Sequence, residues 1–344
     1  MKMPNYVNRI LSVLRKKGFE AYAVGGAVRD TLLGKRPGDW DICTSAGTGE
    51  IAASFRKTVP TGVKYGTVTV IVSGGKCEVT TFRSDGAYSD KRKPDSVSFV
   101  TSLKEDLVRR DFTVNAMAMD ENGGGIDLFG GREDLRNGLI RAVGEPERRF
   151  SEDALRMLRA VRFSAKLGFE IEPATLAAIR KLANNAAGLS AERVREETEK
   201  ILLSPRPEKL SLLIELGLLS AYGVKNADFS RLKRLPKKPL LRWCAFAYLT
   251  GGGAELVKNL RLPNRTVSVC GKALSAAGSY CGRDRQVLAE LGPEAAEAAG
   301  AVLTAAGIKN RIAAEVRKGG YCPPEELAIN GDDLLKLGVT GREI

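Results

Sequence analysis

Asp39 and Asp41, one residue apart in "PGDWDICTS", are the side chains best placed to do chemistry in this chain, because two acceptor-only groups held together call for a cation between them. Residues i and i+2 of a strand share a face, so a strand running through "WDICTS" would project both carboxylates to one side and turn Trp40 into the protein. Taken alone, a D-x-D after Pro37 and Gly38 also describes a solvated turn. Upstream, "AYAVGGAVRD" places Gly25 and Gly26 at the end of an apolar run, where a missing Cβ lets backbone N–H groups approach phosphate oxygens at a helix N-terminus. Arg29 follows one turn later and can add a charge-assisted contact. The stretch is neither a P-loop nor a dinucleotide fingerprint, and a Gly pair by itself is a tight turn. The chain contains no histidine, which excludes His-based triads, zinc sites and any His general base. Its chemistry must rest on carboxylates, cations and metals that prefer oxygen, magnesium or manganese.

Two further clusters carry charge in a pattern. "RRDFTVNAMAMD" at 109–120 opens on Arg109 and Arg110, which alone would read as a surface pair at a helix start. In "SEDALRMLRAVRF", at about 100° per residue, Glu152, Arg156 and Arg159 form one helical stripe with Asp153 beside it, and Leu155, Leu158 and Val161 face inward. An ordinary helix start has the same look: Ser151 as N-cap, acids at the positive end, and a Glu152–Arg156 pair at i, i+4. The functional alternative starts from the fact that a carboxylate only accepts and a guanidinium only donates. Asp153 with Arg156 would read an amino donor beside a ring-nitrogen acceptor, the edge shown by cytosine and adenine, and would repel uracil and guanine without any template strand.

The elements around these groups are legible in outline. "YVNRILSVLRKKGF" is a short helix by the spacing of Val7, Ile10, Leu11 and Leu14, with Gly18 after a basic last turn. "AYAV" is a buried strand entering the glycine turn and a helix, and "GTVTVIVSGGKCEVTTFR" is a hairpin around a Gly-Gly turn. Glu78 in that hairpin is a third carboxylate on a neighbouring strand or simply a charged hairpin residue. To about residue 140 the chain is mixed α/β; from Ser151 onward it is almost all helix, broken at "SPRPEK", "RLPKKP", "TGGG" and "CPPEE".

With these motifs together, the chain resembles the nucleotidyltransferase head of the DNA polymerase β superfamily. More narrowly, "GGAVRDTLLGKRPGDWDICTSA", "RRDFTVNAMAMD" and "EDALRMLRAVRF" are similar to the motifs of class II tRNA nucleotidyltransferases (CCA-adding enzymes) and bacterial poly(A) polymerases. The resemblance implies an α+β fold, in which a polymerase β-like head with a mixed sheet and helices precedes an all-α neck, body and tail. Residues 1–140 would form the catalytic head, 141–206 the nucleobase-selecting neck, and 207–344 a tRNA-binding body and short tail. It implies two magnesium ions (manganese as a substitute) on Asp39 and Asp41, and nucleotide contacts from Gly26, Arg29, Arg110, Asp153, Arg156, Arg159 and Arg162. Arg162 drifts well off the stripe of a straight helix. Asp111 and Asn115 would order the sugar or the junction between domains, and the E-D-x-x-R motif would act as an amino-acid template. "SAERVREETEKILLSPRP", with Ser190 as cap, would brace the neck. "FRSDGAYSDKRKPDSVSFV" resembles the flexible loop that CCA-adding enzymes keep and CC-adding enzymes lack or shorten.

The implied activity is addition of CCA to the 3′ end of tRNA from CTP and ATP with release of pyrophosphate; the alternative is an A-adding enzyme or poly(A) polymerase of the same family. Composition agrees with a polyanionic partner: 54 Lys and Arg against 41 Asp and Glu give a formal charge of +13 over 344 residues. In the body, Lys258, Arg261, Arg265 and Lys272 are candidates for tRNA phosphates or are solvated surface charge. The chain stops at Ile344, where the resembled family continues through another helix, so the expected tail is either truncated or unusually short. Six scattered cysteines without a C-x-x-C pair suit a reduced cytoplasm. The lack of an apolar signal core or a run of roughly 18 apolar residues predicts a soluble, cytoplasmic chain without membrane contact. No motif addresses the oligomeric state.

Overall fold

The first helix, α1 (Asn5–Lys16), forms where the apolar spacing requires it: Val7, Ile10, Leu11 and Leu14 are fully buried, and Arg15 and Lys16 sit at its negative end. A computed structural model of the chain describes residues 3–85, 97–319, 321 and 333. By proximity the chain divides into two units, Met1–Ile201 with Leu212–Ala221, and Leu202–Ser211 with Tyr222–Ile344.

In the first unit, β1 (Ala21–Val24) runs into Gly25 and α2 (Gly26–Leu32). Next come β2 (Asp41–Thr44), α3 (Thr48–Ser54), β3 (Thr58–Gly62), β4 (Thr67–Val72) and β5 (Gly75–Thr81). The hairpin of β4 and β5 turns at Ser73–Gly74; the second glycine of the expected Gly-Gly turn already belongs to β5, because Val72 pairs with Gly75. A short antiparallel pair, β6 (Arg83–Asp85) with β7 (Val97–Phe99), leads into α4 (Leu103–Val108), and most of the loop expected between them lies outside the described residues. β8 (Met117–Met119) and β9 (Gly125–Asp127) complete a seven-stranded sheet in the order β3-β4-β5-β2-β1-β8-β9. Its pairs are antiparallel except β2 with β5, which makes the sheet mixed, as expected. Val24, Cys43, Phe82, Leu103, Leu107 and Ala118 form a core beneath β1 and β2.

The helical part of this unit comprises α5 (Gly131–Asn137), α6 (Pro146–Glu152), α7 (Leu155–Leu167), α8 (Pro173–Leu182) and α9 (Ala191–Leu202), with a two-stranded parallel pair of β10 (Leu139–Ile140) and β11 (Glu170–Ile171) among them. The single helix expected from Ser151 onward is two. α6 ends at Glu152, Asp153 is extended (φ −142°, ψ 104°), and α7 begins at Leu155. Ser151 is therefore inside the last turn of α6 rather than an N-cap. The break has a local cause: Asp153 Oδ1 accepts the Leu155 N–H at 3.0 Å, a side-chain bond that competes with helical continuation and starts the next helix. Ser190 also departs from its expected role. Its carbonyl accepts from Arg193 and Val194, but its buried hydroxyl has no hydrogen-bond partner.

The second unit is helical: α10 (Leu210–Glu215, shared across the division), α11 (Pro239–Leu249), α12 (Gly253–Asn259), α13 (Asn264–Gly278), α14 (Asp284–Ala306, interrupted at Gly292 before Pro293) and α15 (Ile312–Lys318). Its buried Arg242 donates to the carbonyls of Leu202, Leu235 and Pro236, satisfying a guanidinium that would otherwise be costly to bury. Arg265 pairs with Glu294, and Lys258 lies near Glu255; the expected tail motif "ELAINGDDLLKLGVTGREI" lies almost wholly outside the described residues. No helix among the described residues is long and apolar enough to cross a membrane.

Candidate nucleotide site

Asp41 opens β2 opposite Val24, the last residue of β1. Beyond Val24 the chain turns away at Gly25 (φ 73°, ψ −136°), so the expected strand does not extend back to Asp39, which precedes it without a strand partner. The two aspartates nevertheless line one cavity of about 400 Å3, and Trp40 between them is buried at 3 % exposure, the orientation the sequence implied. Glu78 joins them. The parallel pairing of β2 with β5 sets Asp41 beside Glu78 in register, and both line the same cavity.

Crowding raises the Asp41 pKa above its ordinary value. Burial is the chief cause, the neighbouring Glu78 and Asp39 charges add to it, and Arg110 opposes it. That is the state a divalent cation would relieve. Among the described residues no group of three or more His, Cys, Asp or Glu side chains is disposed to hold an ion. Magnesium needs no such cage, since it commonly takes one or two carboxylates and completes its octahedron with phosphate and water, so the open oxygen-only set fits it.

Asp41 also borders a second cleft of about 610 Å3 whose lining includes eight arginines and one lysine against three aspartates, a balance that suits a polyanion. Gly25, Gly26, Arg29, Arg110, Asp153, Arg156, Arg159 and Arg162 all reach it. Gly25 is required by its backbone, and a Cβ there would stand 3.2 Å from Arg110 Nη1. Arg29 is buried and held by Asp30 (2.8 Å to Oδ1) and by Asn115 Oδ1 (2.5 Å). Asn115 in turn donates to Asp111 Oδ1 at 3.0 Å, and Asp111 Oδ2 accepts from Arg159 at 2.8 and 2.5 Å. Asp111 thus ties the end of the α4 segment to α7. Arg162, although off the stripe, reaches the cleft because its long side chain bends over Phe163, its guanidinium 4.0 Å from the ring centroid, with Arg29 and Arg159 each at 5.4 Å. It also lies 2.6 Å from Glu197 Oε2, an ion pair without hydrogen-bond alignment.

Asp153, in the α6–α7 break, and Arg156, in the first turn of α7, both line the cleft, each held by other partners. Arg193 of α9 donates to both Asp153 oxygens at 3.0 and 2.9 Å. Arg156 donates to Glu152 Oε2 (2.8 Å), to the Arg149 carbonyl (3.0 Å) and to the Arg109 carbonyl (2.9 Å). The expected Glu152–Arg156 pair therefore forms across a break rather than along one helix. Sequence reasoning passed over Arg83, Lys166 and Arg193, which also line the cleft. Lys166 was recoverable, being seven residues beyond Arg159 on the same helical face. Arg193 was counted as bracing, and only packing brings it to Asp153.

Residues 21–141 match the family described as Poly A polymerase head domain, and residues 168–222 match the probable RNA and SrmB-binding site of polymerase A. The chain is 41% identical over 341 residues to the CCA-adding enzyme of Anoxybacillus flavithermus, covering 95% of this chain and 86% of that protein. It is 48% identical over 278 residues to the CCA-adding enzyme of Geobacillus stearothermophilus, covering 78% and 69% respectively. The Bacillus stearothermophilus CCA-adding enzyme in complex with CTP superposes with a TM-score of 0.82 at 38% identity, over 99% of this chain and 89% of that one. The mixed-sheet head, the helical segments that follow and these matches along most of the chain lead to one conclusion: the protein belongs to the CCA-adding enzyme and bacterial poly(A) polymerase family of nucleotidyltransferases.

Proposed function

We propose that this protein is a cytoplasmic tRNA nucleotidyltransferase that adds C, C and A to the tRNA 3′ end from CTP and ATP, without a nucleic-acid template, releasing pyrophosphate. One observation carries the reading: the Asp41 carboxylate of β2 and the Asp153–Arg156 junction border the same arginine-rich cleft, so a triphosphate and its base have facing sites on one chain. In this division of labour residues 1–140 handle the triphosphate and metal, 141–206 select the base, and 207–344 bind tRNA. The Gly25–Gly26 turn admits phosphate oxygens to the backbone, and Gly26, Arg29 and Arg110 line their path. Asp153 accepts the amino group of cytosine or adenine, Arg156 donates to the adjacent ring nitrogen, and Arg159 and Arg162 bear on the nucleotide from the next turns of α7.

The family works with divalent metal ions, and two ions on Asp39 and Asp41 would lower the pKa of the terminal ribose hydroxyl and neutralise the leaving pyrophosphate. A chain without histidine has no imidazole base for that proton, which is consistent with this assignment. The test is incubation with tRNA ending at the discriminator base, CTP, ATP and magnesium, followed by sequencing of the product ends. CCA ends are expected; A alone, or an open-ended A tail, would overturn the assignment. Asp39→Ala with Asp41→Ala should abolish extension, and extension at the parental rate would refute the metal role.

A further inference from the structure

Asp106, in the short helix α4, is fully buried, and Arg109 and Arg110 converge on it. Arg109 donates to Oδ1 from Nη2 at 2.7 Å and from Nε at 3.1 Å, while Arg110 donates from Nη2 to Oδ2 at 3.1 Å. Burial would raise the pKa of this acid, but the Arg110 and Arg109 guanidiniums outweigh it and hold the carboxyl below its usual range, so the ion persists. The other end of the Arg110 fork lies over the Gly25 turn, where Nη1 would stand 3.2 Å from a Cβ. The same α4 terminus works with its main chain as well. The Val108 carbonyl accepts Arg149 Nη1 at 3.2 Å, and the Arg109 carbonyl accepts Arg156 Nη2 at 2.9 Å. A single turn of chain therefore holds a guanidinium at the phosphate end by a side chain and a guanidinium at the base end by a backbone oxygen.

We infer that Asp106 is a positioning residue that couples triphosphate recognition to base selection: it sets Arg110 over the Gly25 turn and, by fixing Arg109, sets the carbonyl that orients Arg156. The inference rests on reading the cleft as the nucleotide site. Asp106 is sealed from the cleft, so it acts only through its partners. If the two ends were independent, loss of its charge would weaken every nucleotide equally. With coupling, the same loss also relaxes the choice of base.

The experiment uses the full chain, magnesium, and tRNA ending at the discriminator base, comparing the parent protein with D106N. A buried charge-assisted pair suggests that D106N raises KM for CTP about tenfold, with KM for tRNA unchanged. The preference for CTP over UTP in kcat/KM should fall several-fold. In an R110K background D106N should raise KM for CTP by much less than the product of the two effects, since that effect runs through Arg110. A parent protein that fails to add C would refute the reading of the cleft itself. A parent that adds CCA alongside a D106N variant of unaltered CTP preference would overturn the coupling, whatever its KM. Should D106N fail to fold by circular dichroism, R109Q keeps the Asp106–Arg110 bond and decides the matter: the CTP preference must fall, and an unchanged preference overturns the inference.

Discussion

Replacing Asp111 by Asn tests the tie that sets Arg159 and Asn115 in the cleft. Burial alone would push the Asp111 carboxyl up. Arg159 on Oδ2, with Asn115 and the Phe112 N–H on Oδ1, reverses this and holds the acid at about 2, against an ordinary 3.8. A folded-state pKa below the unfolded one means that the contribution is complete above about pH 5 and is lost as the pH falls through 4 toward 2. At about 1.4 kcal/mol per pKa unit, the shift contributes on the order of 2.5 kcal/mol at neutral pH, about half of that at pH 3, and little at pH 2. The chain has two tryptophans, so a Trp243→Phe background leaves Trp40, buried beside Asp41, as the sole reporter of the first unit. Urea unfolding of D111N and its parent at pH 7 and pH 3, followed by Trp40 fluorescence, gives the difference in stability at each pH. Comparison at matched pH cancels the other carboxylates. A difference that stays constant between the two pH values, or grows as the pH falls, would refute the ion-pair account of this junction.

Three other outcomes follow from the site. Gly25→Ala forces a side chain into a conformation essentially reserved for glycine, a strain of about 1–3 kcal/mol, and its Cβ crowds Arg110; KM for both CTP and ATP should rise, and unchanged values would remove the turn from phosphate binding. Glu78→Gln should raise the magnesium concentration needed for half-maximal extension while leaving KM for tRNA alone, whereas an unaltered magnesium titration would return Glu78 to an ordinary hairpin residue. Asp153→Ala and Arg156→Lys should each erode preference for CTP and ATP over UTP and GTP by about 10- to 100-fold; parental nucleotide choice in both variants would end the amino-acid template idea.

What the sequence determined by itself was the chemistry available and its local settings. The absence of histidine restricted catalysis to carboxylates and oxygen-loving metals, the spacing of Val7, Ile10, Leu11 and Leu14 specified α1, and the alternation around Ser73–Gly74 specified a hairpin. Gly25 at the end of an apolar strand, the aspartates around a buried Trp40, and the charged residues of α7 were legible because turn chemistry and helical or strand periodicity act over a few residues. Tertiary structure decided which of these groups meet. It stopped β2 at Asp41, because β1 turns away at Gly25, and it set Glu78 beside Asp41 through a parallel pairing that no local pattern specifies. It delivered Arg193 from α9 onto the Asp153 carboxylate. It also buried Asp106 under two arginines that the sequence presented as a surface pair. The meetings of Asp41 with Glu78 and of Asp153 with Arg193 depend on packing between segments far apart in the chain, which no local pattern specifies. The Asp106 pairs lie within one turn, and only their burial, where the cost of an unpaired charge fixes both arginines on the acid, is tertiary.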